Sequence, residues 1–84
     1  MFIIIAYDVD ATRTEHFKRI CQKYLIRVQN SVFEGELSNA QFLKLKHTLK
    51  KEIHENEKLR IWITSKIIET IKYGNIESLE SGFI

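Results

Sequence analysis

Apolar residues fill the start of the chain and then recur with the spacing of helices and strands. Residues 2–7 are continuously apolar and rich in isoleucine, which predicts a central strand buried on both faces. Two later segments repeat apolar side chains every three or four residues, which predicts two amphipathic helices. The first stripe contains Phe17, Ile20, Cys21, Tyr24 and Leu25, and the second contains Phe42, Leu45, Leu49 and Ile53. Ser38 stands directly before the second helix, where serine is a favoured N-cap.

Three further segments have the pattern of strands. Residues 28–37 are interpreted as one strand, in which Gly35 forms a bulge or bend. Residues 59–64 alternate, so that Trp62 lies on one face with Arg60 and Thr64, and Leu59, Ile61 and Ile63 lie on the other. Residues 67–73 favour a last strand, with a helical turn as the alternative. The predicted order is therefore β-α-β-α-β-β.

The apolar faces of two amphipathic helices must be buried against another apolar surface, and one face of a four-stranded sheet provides it. The sequence thus predicts an α/β (α+β) fold, a ferredoxin-like sandwich with a mainly antiparallel four-stranded sheet and both helices on one face. No proline-rich or low-complexity linker divides the chain, so we expect one domain over residues 1–84, with 75–84 as a C-terminal tail. The uncovered face of the sheet carries Trp62 and is expected to need a partner.

The length of the chain and the distribution of its charges limit the kinds of function that the protein can have. A chain of 84 residues with one cysteine has no internal disulfide and only a small core, which favours self-association. The formal net charge is +2, with the basic excess before residue 67 and an acidic excess after it. This distribution suits a polyanionic partner, although solvated helix faces produce the same excess. The apolar runs are too short to span a membrane and no signal peptide is recognisable, so we expect a cytoplasmic protein without a membrane partner.

Motifs for zinc, phosphate-loop and acyl-transfer chemistry are absent from the sequence, which leaves Asp8 as the candidate for chemistry. It directly follows the first strand, at the end of a strand where functional groups are common. A helix-capping role for Asp8 or Asp10 is the alternative. One carboxylate holds Mg²⁺ poorly, so a catalytic Asp8 requires a second copy across a two-fold axis.

Three segments together carry a resemblance to a known family. They are the strand 3–9 with Tyr7 and Asp8 at its end, the segment Arg-Val-Gln-Asn-Ser-Val-Phe-Glu-Gly at 27–35, and Leu-Arg-Ile-Trp at 59–62. Over residues 2–73 the chain resembles the Cas2 family of small CRISPR-associated adaptation endonucleases. The resemblance implies ferredoxin-like protomers that form a homodimer through their sheets, with residues 81–84 as a candidate strand completing the partner's sheet.

The same resemblance assigns roles to individual residues. It implies that Asp8 binds Mg²⁺ or Mn²⁺ together with Asp8 of the partner subunit, and that Tyr7 is its aromatic neighbour. Arg27 is implied as a phosphate contact, Ser31 as the motif serine, and Phe33 as a residue that packs or stacks near the site. Packing in the core is the favoured interpretation of Phe33.

The resemblance also implies nucleic-acid partners and leaves the activity open. The expected binding residues are Arg13, Lys18, Arg19, Arg27, Lys44, Lys50 and Lys51. The first hypothesis is a spacer-acquisition protein that is a metal-dependent endonuclease on single-stranded RNA or double-stranded DNA. The alternatives are a catalytically silent scaffold for protospacer duplex DNA and the CRISPR integrase, and a toxin-like ribonuclease of the same fold.

Overall fold

The computed structural model describes residues 1–65 and residue 71, which contain one four-stranded sheet and two α-helices. The elements are β1 (Phe2–Asp8), α1 (Thr14–Gln22), β2 (Ile26–Gln29), β3 (Val32–Glu36), α2 (Asn39–Glu52) and β4 (Lys58–Thr64), with a 3₁₀ turn at Ala11–Arg13. The strands are ordered β2-β3-β1-β4, and every neighbouring pair is antiparallel. The predicted ferredoxin-like α+β sandwich is confirmed.

The predicted order of elements is wrong in one place. The segment expected to be one strand over 28–37 is a hairpin of β2 and β3 joined at Asn30 and Ser31, so the observed order is β-α-β-β-α-β. The irregularity in this hairpin falls between Arg27 and Gln29, whereas Gly35 pairs in regular register with Ile3. The predicted strand at 67–73, apart from Ile71, and the tail at 75–84 lie outside the described residues.

Gly35 lies at a close approach between the sheet and the α1–β2 connection. A Cβ atom at this position would lie 3.1 Å from Cδ2 of Leu25, closer than nine in ten such contacts in proteins. Leu25 is buried at the end of the α1–β2 connection. The missing side chain of Gly35 therefore lets the connection pack directly on the sheet.

The core lies on one side of the sheet. Ile3, Ile5 and Tyr7 of β1 are buried there with apolar side chains from both helices. Alternate residues of the same strand are only half-buried on the other side, so the prediction that β1 is buried on both faces is wrong. Leu45 and Leu49 of α2 are fully buried, and the helix begins with the expected cap, because Ser38 Oγ accepts a hydrogen bond from Gln41 N–H at 3.2 Å. Neither helix of the described chain is long and apolar enough to cross a membrane.

The face of the sheet opposite the helices is here called the open face. Trp62 lies on it directly across from Ile4 and is 44% exposed. The Arg60 guanidinium carbon stands 5.8 Å from the centre of the Trp62 ring. The predicted alternation of β4 is thus confirmed from Leu59 to Trp62, with Leu59 and Ile61 packed against the core and Arg60 and Trp62 turned away from it. Ile63, predicted on the same side as Leu59 and Ile61, is 55% exposed and does not pack against the core.

Candidate functional site

Asp8 is the last residue of β1 and is exposed. Its cross-strand partner is Lys58, the first residue of β4, which places both side chains at one end of the open face. They line a depression of about 510 Å³ formed by Ala6, Tyr7, Asp8, Glu57, Lys58, Leu59, Arg60 and Trp62. Within residues 1–65 the Asp8 carboxylate has no hydrogen-bond or ion-pair partner, so both oxygens are available to a ligand.

The capping role belongs to Asp10. Its Oδ1 accepts hydrogen bonds from Thr12 N–H at 3.1 Å and from Thr12 Oγ1 at 2.8 Å, at the start of the 3₁₀ turn. These two bonds lower the pKa of Asp10. Because Asp10 fills the local structural need for an acceptor, capping does not explain Asp8.

Tyr7 and Phe33 belong to the core. Their rings stack with centroids 6.1 Å apart, and Tyr7 also contacts Phe17 at 5.4 Å. Burial raises the pKa of Tyr7 to about 12, and its hydroxyl has no hydrogen-bond partner among the described residues. Phe33 is 0% exposed, which agrees with the packing interpretation and leaves no ring face for a base.

Arg27 and Ser31 lie apart from Asp8. Arg27 Nη2 donates to Asn30 Oδ1 at 2.6 Å, and Ser31 contributes its carbonyl to the Tyr7 N–H at 3.1 Å. Both residues line a second depression of about 390 Å³ with Thr14, Glu15, Lys18 and Asn30. The two depressions share no lining residue, so the structure does not bring Arg27 and Asp8 into one site within a single protomer.

The seven predicted nucleic-acid contacts differ in whether their charges are already paired within the protein. Arg13 is bonded inside the protein, as described below, and Lys18 and Arg19 lie 3.8 and 3.9 Å from the Glu15 carboxylate. The lysines at 44, 50 and 51 are exposed on α2 and have no ion-pair partner in the described part of the chain. These three α2 lysines are therefore accessible to a polyanion, and so are Lys58 and Arg60, two exposed cations that the sequence analysis did not select.

Glu57 is a further residue that the sequence analysis missed. Its side chain is 2% exposed and accepts hydrogen bonds from Arg13 Nε at 2.9 Å, Asp10 N–H at 3.1 Å and His54 N–H at 2.9 Å. Burial alone would raise the pKa of Glu57, but these three donors and the Arg13 charge outweigh it and lower the pKa to about 2. In the sequence it stands in a polar stretch that resembles a solvated loop, and its main partner precedes it by 44 positions.

A metal site would be incomplete in one protomer. The described residues contain no group of three or more histidine, cysteine, aspartate or glutamate side chains able to hold an ion. The free carboxylate of Asp8 is the kind of oxygen ligand that Mg²⁺ and Mn²⁺ take, and these ions commonly bind one or two carboxylates plus water and phosphate. Asp8 could therefore supply one of the two carboxylate ligands of such a site.

The sequence and the fold of this chain are similar to those of one family of known proteins. The family model for CRISPR associated protein Cas2 matches residues 1–71. The CRISPR-associated endoribonuclease Cas2 of Methanosarcina acetivorans is 42% identical over 79 residues, covering 94% of this chain and 87% of the relative. The protein of the same name from Thermotoga maritima is 38% identical over 86 aligned positions, covering 100% and 99%. The crystal structure of Streptococcus pyogenes Cas2 superposes with a TM-score of 0.71 at 32% identity, covering 86% of this chain and 100% of that one. The chain belongs to the Cas2 family of CRISPR-associated proteins.

Proposed function

We propose that this chain is a homodimeric, divalent-metal-dependent endoribonuclease of CRISPR adaptation, with Asp8 as its metal ligand. The observation that carries the proposal is the unpartnered Asp8 carboxylate at the end of β1, held in a depression with two cationic side chains. The relatives from Methanosarcina acetivorans and Thermotoga maritima are called endoribonucleases, which supports RNA as the substrate.

A second copy of the chain is the proposed occupant of the open face. Ile4, Ala6 and Trp62 form an apolar centre there, and small domains commonly recover missing core at symmetric interfaces. A two-fold axis near the end of β1 would place Asp8 opposite Asp8 of the partner subunit. Two carboxylates would then share one ion, which supplies the ligand that a single protomer lacks.

The residues around Asp8 suit a phosphodiester. When bound, a divalent ion would polarise the scissile phosphate and lower the pKa of a coordinated water. Lys58 stands directly across from Asp8 and Arg60 lies in the same depression, so two cations flank the carboxylate. They would bind neighbouring phosphates of the strand and hold the scissile bond near Asp8.

The α2 lysines favour a second role as a scaffold. Lys44, Lys50 and Lys51 are exposed and do not line the Asp8 depression, so the nuclease site does not account for them. A dimer would carry two such cationic helices. They would hold protospacer duplex DNA through its phosphates beside the CRISPR integrase, without reading the sequence.

Cleavage assays with charge-matched variants test the catalytic proposal. Labelled single-stranded RNA and duplex DNA are incubated with wild-type protein, Asp8→Asn and Asp10→Asn, each with Mg²⁺ and with EDTA. Asp10→Asn is the matched control, because it removes the same charge two positions away and keeps an Oδ1 acceptor for the cap. We expect Mg²⁺-dependent RNA cleavage that disappears in Asp8→Asn and persists in Asp10→Asn, with both variants folded at the assay temperature.

The other outcomes separate the alternatives. Cleavage that survives Asp8→Asn or EDTA would contradict the metal nuclease. Absence of cleavage by every protein, combined with salt-sensitive duplex binding that is lost when Lys50 and Lys51 become alanine, would leave the scaffold. Cleavage of total cellular RNA in preference to both labelled substrates would favour the toxin-like ribonuclease.

A further inference from the structure

A partly buried set of polar contacts, here called the interlock, joins three segments next to Asp8. It consists of the Arg13 side chain, the Glu57 carboxylate, the Asp10 N–H and the Glu52 carbonyl. Arg13 donates from Nε to Glu57 Oε2 and from Nη2 to the Glu52 oxygen at 2.5 Å, and its guanidinium carbon stands 5.4 Å from the centre of the Phe17 ring. The 3₁₀ turn, the end of α2 and the loop before β4 are thus tied to one another.

The interlock continues the pairing of β1 with β4 beyond the last strand residues. Regular pairing ends at Asp8 and Lys58. Two residues later, the Asp10 N–H donates to Glu57 Oε2 at 3.1 Å, so a side chain replaces the next backbone acceptor. The backbone at Asp8 is therefore held at two points by the segment 57–58. Asp8 itself pairs with Lys58, and Asp10, two residues later, is bonded to Glu57.

We propose that Glu57 is a positioning residue for Asp8, and that Arg13 acts with it. The inference rests on the proposed metal-binding role of Asp8. Without Glu57, the chain after β1 would keep the Asp8–Lys58 pair but lose the attachment at Asp10, and the Asp8 carboxylate would sample more orientations. A metal ion bound by two carboxylates across an axis is sensitive to such freedom, because both must reach it together.

Glu57 lines the same depression as Asp8, but its carboxylate is already used by three donors of the protein. It therefore has fewer free lone pairs to offer a metal ion than the unpartnered carboxylate of Asp8. The same contacts explain why Arg13 differs from the α2 lysines. Its side chain is 21% exposed and is committed to Glu57 and to the end of α2.

Glu57→Ala tests the inference, with Glu55→Ala as its matched control. Both variants remove one negative charge from the same loop, but Glu55 is exposed and makes no hydrogen bond to residues 8–13. The amide introduced by Glu57→Gln has one acceptor oxygen, which can keep the Asp10 and Arg13 bonds and lose only the His54 bond. Glu57→Ala removes both acceptor oxygens and therefore must lose the Asp10 bond. Arg13→Lys is the second variant, because one ammonium cannot reproduce the two bonds made from Nε and Nη2.

Three measurements are made well below the lowest melting temperature of the set. Native-state hydrogen exchange follows the amide of Asp10, with the Ile5 amide as the core reference. Mn²⁺ titration follows paramagnetic broadening of the Asp8 signals, and RNA cleavage is measured against Mg²⁺ concentration. We expect Glu57→Ala to exchange the Asp10 amide roughly fivefold faster or more, the factor for loss of a typical hydrogen bond. We also expect weaker Mn²⁺ binding and a higher Mg²⁺ requirement, with Glu55→Ala unchanged.

The results separate this inference from the proposed function. Unchanged exchange at Asp10, or metal titrations of Glu57→Ala that match those of Glu55→Ala, would overturn the positioning role. Wild-type protein that binds Mn²⁺ at Asp8 without cleaving RNA would remove the nuclease proposal alone, and the Mn²⁺ titrations would still decide the role of Glu57. Wild-type protein that binds no Mn²⁺ at Asp8 would overturn both.

Discussion

Truncation of Phe33 distinguishes a packing role from a stacking role. An 84-residue domain is stable by about 4 to 13 kcal/mol at roughly 0.05–0.15 kcal/mol per residue. Phe33 is fully buried against Tyr7 and Ile5, so Phe33→Ala should cost about 3–5 kcal/mol. That loss unfolds a protein near the lower end of the range and leaves one near the upper end folded. Phe33→Leu keeps most of the volume and loses the stacked pair, which should cost about 1–2 kcal/mol.

Urea denaturation followed by tryptophan fluorescence gives the fraction of folded protein, and RNA cleavage is measured on the same samples. Leu49→Ala is the matched control, since Leu49 is also fully buried but lies on α2 and does not line the Asp8 depression. We expect cleavage by Phe33→Ala, Phe33→Leu and Leu49→Ala to follow the folded fraction on one curve. Tenfold weaker cleavage by fully folded Phe33→Leu would refute the reasoning and assign the ring a direct contact with the substrate.

Four other predictions follow from surface and charge. Trp62→Glu should dissociate the proposed dimer while α1 and α2 stay folded, as checked by sedimentation and circular dichroism; a dimer that persists would exclude the open face as its interface. Burial raises the pKa of Cys21 to about 12 from 9.0, so the contribution of the protonated thiol to the free energy of unfolding is complete below pH 9 and is lost towards pH 12. Cys21→Ala should therefore reduce the fall in the free energy of unfolding between these pH values, as measured by urea denaturation. The pKa of Glu57 is lowered to about 2 from 4.5, so its stabilisation is present above pH 4.5 and is lost as the pH falls towards 2; Glu57→Gln should remove this acid dependence from urea midpoints. Replacement of Lys50 by alanine should reduce the slope of log affinity against log salt for duplex DNA by about 0.9, and an unchanged slope would mean that this lysine does not meet a phosphate.

The sequence was most informative where a pattern repeats. The Ser38 cap, most of the two helical stripes and the first part of the β4 alternation follow from local spacing and are present in the structure. The ends of these patterns are wrong, because α1 ends at Gln22 before Tyr24 and Leu25, and α2 ends at Glu52 before Ile53. The hairpin was missed because Asn30 and Ser31 are a weak turn signal inside a stretch with an extended pattern. A bulge between Arg27 and Gln29 also interrupts the alternation that would have separated the two strands.

The candidate site residues also differ in whether a local sequence pattern predicts their position. Period-two alternation already requires Tyr7 and Asp8 to face opposite sides of the sheet, and the structure shows one buried and the other exposed. The choice between Asp8 and Asp10 as the cap needed coordinates, because either position has a suitable carboxylate. Glu57 and Arg13 are far apart in sequence, and nothing in their local pattern indicates that they form an ion pair.

The short, irregular strand β2 has a consequence for aggregation. Among the described strands it forms one edge of the sheet, and it spans only four residues and carries both the bulge and the bulky cation of Arg27. An edge of this kind is a poor template for a strand from another molecule, because the bulge disturbs the register and the charge resists desolvation. Edge-to-edge polymerisation through β2 is thereby discouraged, so a concentrated solution of this small protein should resist forming fibres along that side of the sheet.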